Sequence, residues 1–280
     1  MYSHCYTEYH IIRVSYLCMK NKAVTTFWLV TISLLLLQRP GFAHEHEIVS
    51  IDLPGGDVVD IRHYKADGDR LLLGLPCDEG TGQAEMNAAS VLSDTSMEIW
   101  MPDLLSAHFL PKLKSSLAQI PTEDVVTLIN AAIAASDKRV YLISSGQCSA
   151  VLLRGLAKWE QENPDRIDVL QGMILLYPRL NAGPPEPGKD PVYIDAVGNT
   201  RTPIAILEGA KTPNSWALPA LKEKLEAGGS PVTTALIPGV RGFFYERERQ
   251  SLPEDIVTSQ LAGLVRASVI KLELHTQRDL

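Results

Sequence analysis

The chain has 280 residues, 45% hydrophobic and 21% charged, with Lys+Arg 26 against Asp+Glu 33 for a net charge of −7. That apolar share and modest charge exclude a disordered chain, and 19 Gly and 18 Pro without a period exclude a fibrous one. The acidic balance repels phosphate backbones and anionic lipid, which sets aside nucleic acid and charged membrane surfaces as partners.

Residues 1–18 fit no targeting pattern, and Met19 offers a second start. Lys20 and Lys22 then form a short basic segment ahead of an apolar run over residues 27–37 (FWLVTISLLLL). A membrane-spanning helix needs about 20 apolar residues, so the run is too short for an anchor and reads as the core of a secretory signal. Gly41-Phe42-Ala43 supplies small residues before His44, so cleavage after Ala43 is expected. The organisation is therefore an extension and signal over 1–43 and one exported domain over 44–280, periplasmic or secreted and without a membrane anchor. Removing residues 1–43 takes away Arg13, Lys20, Lys22, Arg39 and Glu8, so the net charge moves from −7 to −10.

Along the exported part, residues 47–53 and 58–64 alternate as half-buried strands around the turn Pro54-Gly55-Gly56-Asp57. Residues 70–75 (RLLLGL) are continuously apolar, as in a strand buried on both faces. A helix over 83–92 and a strand over 97–101 follow. Helical spacing over 122–135 has Thr122 as N-cap and Glu123 and Asp124 in the first turn. Strand 139–144, helix 148–161 and strand 170–177 continue the alternation. Residues 181–202, rich in Pro, Gly and Asp, form a surface excursion. Strand 203–207, helix 215–227, strand 232–237 and a long helix over 253–272, with Pro253 in its first turn, complete the chain. The pattern predicts an α/β fold: a mostly parallel sheet of about eight strands, helices on both faces, and an opening antiparallel pair.

Three stretches resemble the α/β-hydrolase family: residues 71–81 (LLLGLPCDEGT), 140–156 (VYLISSGQCSAVLLRGL) and 202–244. They resemble the oxyanion-hole strand and loop, the nucleophile elbow with its helix, and the late strand–helix–strand whose ends carry the acid and the histidine. The resemblance implies this fold and, at those positions, a Ser-acid-His triad. In the family's G-x-S-x-G register the elbow reads Ser144, Ser145, Gly146, Gln147, Cys148, which puts Gly146 at the nucleophile. The acid position falls on Thr212, with Asp190 and Asp195 as unmarked substitutes. The histidine position falls in Pro238-Gly239-Val240-Arg241-Gly242, on Gly242, and no histidine occurs between Phe109 and Leu274. The reading favoured is an exported domain that has lost the triad and serves as a binding or structural partner for a protein or small molecule, with no cofactor.

Two alternatives stay open. Gly146-Gln147-Cys148-Ser149-Ala150 also resembles the cysteine elbow of dienelactone hydrolases, which makes Cys148 a nucleophile candidate, and an unrecognised serine is another. The resemblance also puts Cys77, in the oxyanion-hole loop, near Cys148, which implies a disulfide between them. His44 and His46, at positions one and three after cleavage, suit Cu(II) or Ni(II) together with the free amine, or form a solvated terminus. Ser145, Asp103 and Arg241 sit at strand ends where a pocket would be lined, with Asp103 and Arg241 otherwise read as solvated loop charges. His63 and His108 read as structural.

Overall fold

The computed structural model describes residues 46–276, apart from 77–81, 136, 185, 187 and 243. Eight strands form one sheet in the order β1-β2-β4-β3-β5-β6-β7-β8. β1 (Glu47–Asp52) and β2 (Val58–Tyr64) pair antiparallel, and β2 pairs antiparallel with β4 (Met97–Pro102). β3 (Arg70–Leu75), β5 (Arg139–Ser145), β6 (Leu170–Leu176), β7 (Ile204–Gly209) and β8 (Val232–Ile237) continue in parallel from β4.

The run at β3 is buried on both faces because the strand is central. Leu71, Leu73 and Leu75 enter the core on one face, and Leu72 enters the core on the other. α3 (Thr122–Ala135), α4 (Cys148–Glu162) and α5 (Asn214–Gly228) cover the first face. α1 (Gln83–Asp94) and α7 (Leu261–Thr276) cover the second. A short helix that the sequence pattern did not mark, α2 (Leu104–Ala107), follows β4. Among the described residues, no helix is long and apolar enough to cross a membrane.

Two local expectations are corrected. Residues 253–272 are not one helix: α6 (Leu252–Ser259) ends at Gln260, whose ψ of 7° and 3.0 Å bond to the Val257 carbonyl tighten the chain before α7. α7 also extends through Thr276, past the expected end at residue 272. Thr122 is the first helical residue of α3, and the turn ahead of it is closed by Asp124 N–H on the Pro121 carbonyl at 3.3 Å.

α3 and α4 approach so closely that a Cβ on Gly155 would stand 2.1 Å from Val125 Cγ1. Gly155→Ala is expected to cost about 2 kcal/mol through overpacking. Combining it with Val125→Ala should recover part of that loss, a coupling that a double-mutant cycle reads. Additive losses would refute the contact.

Candidate functional site

The carboxyl ends of the parallel strands share one edge, the edge at which open α/β sheets bind ligands. There β5 turns into α4 through Gly146 and Gln147. Gly146 takes φ +51, a conformation that costs any residue with a Cβ. Its N–H donates to the Leu176 carbonyl at 3.0 Å, and its own carbonyl accepts the Arg179 N–H at 2.8 Å, so the turn is clasped to the end of β6. Successive side chains of a strand face opposite ways, and the two serines ahead of the turn do so. Ser144 donates to Ser149 Oγ at 3.2 Å in the α4-side core, and Ser145 donates to Glu85 Oε1 at 3.3 Å on the α1 side.

Thr212, after β7, and Gly242, after β8, meet at the same edge. A Cβ on Gly242 would lie 3.4 Å from both Thr212 Cγ2 and Oγ1, and 3.7 Å from Tyr177 Cβ. The surrounding space holds aromatic rings. Tyr177, Phe244 and Tyr245 are buried, with centroid separations of 6.0 Å (Tyr177–Phe244), 5.5 Å (Tyr177–Tyr245) and 5.2 Å (Phe244–Tyr245). Tyr177 sits at φ +37, a strained conformation for a bulky residue, and its N–H donates to the Leu207 carbonyl at 2.7 Å. Burial, reinforced by Tyr177 and Glu85, pushes the Tyr245 phenol well above its ordinary value, so at neutral pH it is a donor and not a base. That donor reaches Glu85 Oε1 at 3.1 Å. At the end of β7, burial raises the Glu208 carboxyl, although the Gly209 N–H at 2.9 Å pulls the other way.

Of the other expected site residues, Cys148 and Asp103 line one small cleft. The Cys148 sulfur is buried, 3.6 Å from the Pro76 carbonyl, and its expected partner Cys77 lies outside the described residues. As a nucleophile Cys148 would open onto a cleft of about 20 Å³ lined by groups such as Leu75, Leu117 and Val151, with no imidazole among them. Asp103 caps α2 by accepting the Ser106 N–H at 3.0 Å, so its carboxylate has a structural task. Arg241 makes a two-pronged pair with the buried Glu254, 2.7 Å from Nε to Oε1 and 2.7 Å from Nη2 to Oε2, and does not line the cavity at Ser145. His44 lies outside the described residues, and the His46 ring packs 5.3 Å from Tyr64. Among the described residues, no group of three or more His, Cys, Asp or Glu is arranged to hold a metal.

His63 and His108 are structural, each held between two carboxylates. His63 lies 2.8 Å from both Glu47 and Glu98, and His108 lies 3.1 Å from Asp57 and also against Asp124. Asp190 and Asp195 are exposed in the excursion after β6. Glu85 and Tyr245 escaped the sequence reading. Glu85 stands in the first turn of a predicted helix, where an acid is ordinary, and only the fold carries Tyr245 to it across 160 residues.

No protein-family model and no curated protein sequence matches the chain. Solved structures do. An esterase of Pyrobaculum calidifontis superposes with a TM-score of 0.59 at 13% identity, covering 80% of this chain and 85% of its own. A thermophilic, thermostable carboxylesterase cloned from a metagenomic library gives 0.58 at 14%, covering 80% and 89%. A highly thermostable carboxyl esterase of Bacillus coagulans gives 0.56 at 11%, covering 80% and 98%. These superpositions, with a mostly parallel eight-stranded sheet that opens on an antiparallel pair, show that the chain has the α/β-hydrolase fold.

Proposed function

We propose that this is an exported α/β-hydrolase-fold protein that binds a ligand or partner and has no serine-hydrolase activity. The observation that carries the reading is the meeting of Thr212 and Gly242 beside Tyr177, with Gly146 at the strand-to-helix turn. In the family's arrangement these are the acid, histidine and nucleophile positions. Gly146 offers no nucleophile, Gly242 no base, and Thr212 no carboxylate to orient an imidazolium. The buried rings of Tyr177, Phe244 and Tyr245 pack beside these positions. The basic segment, short apolar run and Gly41-Phe42-Ala43 support export, and intact mass of secreted protein should begin at His44.

One observation favours a second reading, hydrolysis through Ser145. Its hydroxyl donates to a carboxylate, Glu85, at the elbow. Against it, Glu85 Oε1 already accepts from Tyr245. A single experiment separates the two. The protein is expected to leave p-nitrophenyl esters intact and to resist fluorophosphonate. Gly146→Ser alone should gain little, because Gly242 would still supply no base. Stoichiometric labelling that disappears in Ser145→Ala would replace the binding reading with the hydrolase.

A further inference from the structure

On the α1 side of the sheet, α1, α6 and the first turn of α7 form a surface groove of about 540 Å³ with the segment that precedes α6. That volume lies within the roughly 300–1,000 Å³ of small-molecule pockets. Ala84 and Val91 of α1, Leu261 and Ala262 of α7, and Tyr245 give it apolar walls. Four of its polar side chains, Arg247, Asp255, Asn87 and Gln250, keep hydrogen-bonding capacity that the chain does not use.

Arg247 donates to a single carbonyl, that of Gly242, from Nε at 3.2 Å and from Nη2 at 2.9 Å. This contact holds the side chain in place and occupies one edge of the guanidinium. The edge formed by Nη1 and Nη2 has no acceptor among the described residues, and it is a fork that fits a carboxylate. Asp255 lines the same groove, and among the described residues its carboxylate pairs with no cation, Arg247 included. Asn87 Oδ1 accepts from Gln83 at 2.8 Å, which leaves the Asn87 amide N–H groups as donors. Gln250 uses its N–H groups on the Phe244 carbonyl at 2.7 Å and Thr258 Oγ1 at 3.0 Å, which leaves its Oε1 as an acceptor.

We infer that this groove binds an apolar dipeptide with both ends free, its carboxylate at Arg247, its ammonium at Asp255 and its peptide group between Asn87 and Gln250. The inference rests on the binding reading above and gives it a ligand class. The groove holds one charge of each sign, and the two do not neutralise each other. A ligand of single charge satisfies one of them and is repelled by the other, whereas a zwitterion satisfies both. Two extended residues span about 7 Å, so a dipeptide carries its charged ends apart, as the groove does. A peptide group laid against apolar walls needs one donor and one acceptor, and the two side-chain amides supply them.

The test is calorimetric titration of the purified protein with L-alanyl-L-leucine, its N-acetyl form, its C-terminal amide and free leucine. Saturable binding of the free dipeptide is expected, with acetylation, amidation and loss of the peptide group each weakening it about tenfold. Arg247→Gln should weaken the free dipeptide about tenfold and leave the amide within about twofold. Asp255→Asn should weaken the free dipeptide and the amide about tenfold and leave the acetylated form within about twofold. Asp255 is exposed and has no partner in the chain among the described residues, so this variant keeps the fold. No saturable dipeptide binding, equal binding of the blocked forms or of leucine, or binding unchanged in Asp255→Asn would each overturn the inference. Fluorophosphonate labelling on the same samples keeps the two failures apart. Labelling overturns the non-hydrolytic reading, whereas absent labelling with absent dipeptide binding overturns the ligand class alone.

Discussion

Glu160→Ala is expected to lower the unfolding free energy by about 3–4 kcal/mol, taking 1–3 kcal/mol for each buried donor left without a partner. Glu160 lies on α4 and is only 2% exposed. Its carboxylate accepts the Arg201 N–H at 2.7 Å, the Thr202 N–H at 2.9 Å and the Thr202 hydroxyl at 2.7 Å. Those groups lead into β7, so the side chain ties α4 to the start of the strand that ends at Gly209. Truncation strands two backbone N–H groups, that of Thr202 in the buried interior. Glu160→Gln keeps an acceptor oxygen and should lose markedly less. Urea unfolding reads the effect as a shifted midpoint at constant slope. A loss below about 1 kcal/mol for Glu160→Ala would mean that water or a backbone shift satisfies the donors.

The second large effect belongs to Glu254. This residue is fully covered at the head of α6, and it collects a two-pronged pair from Arg241 together with the Ser251 N–H at 2.8 Å and hydroxyl at 3.0 Å. Arg241, with the Ser251 donors behind it, holds the Glu254 carboxyl well below its ordinary value of 4.5. A carboxyl depressed in the folded state contributes its stability above the unfolded value and loses it as pH falls through the folded one. At pH 7, Glu254→Gln should therefore cost about 2–3 kcal/mol, discounted because the Arg241 side chain is 44% exposed and water screens it. The gap between wild type and variant should stay constant from neutral pH down to about 4.5 and narrow below it. A gap that does not change down to pH 3 would show that packing, and not charge, holds α6 in place.

The pair also anchors the loop after β8 that carries Gly242. The loop after β8 is committed to α6: Arg241 N–H and guanidinium both bind Glu254, and Gly242 follows directly against Thr212 and Tyr177. A Cβ at Gly242 would sit in ordinary contact with Thr212 at 3.4 Å and with Tyr177 at 3.7 Å.

Periodicity and turn chemistry alone determined the eight strands, the helices between them and the class of sheet. Those signals are local: Leu71 to Leu75 can only be buried on both faces, and Val58 to Tyr64 alternate at period two. Spacing likewise put Gly146 at a strand-to-helix turn, and the structure finds it there at φ +51. The tertiary structure decided everything that depends on which distant groups face each other. It turned Arg241 from a pocket residue into the partner of Glu254, made Asp103 a helix cap, and set the Cys148 sulfur against Pro76. It also joined Glu85 to Tyr245 and opened a cavity behind them. No local pattern encodes such pairs, because the energy of a buried polar contact depends on partners that the chain brings together only when the sheet is complete.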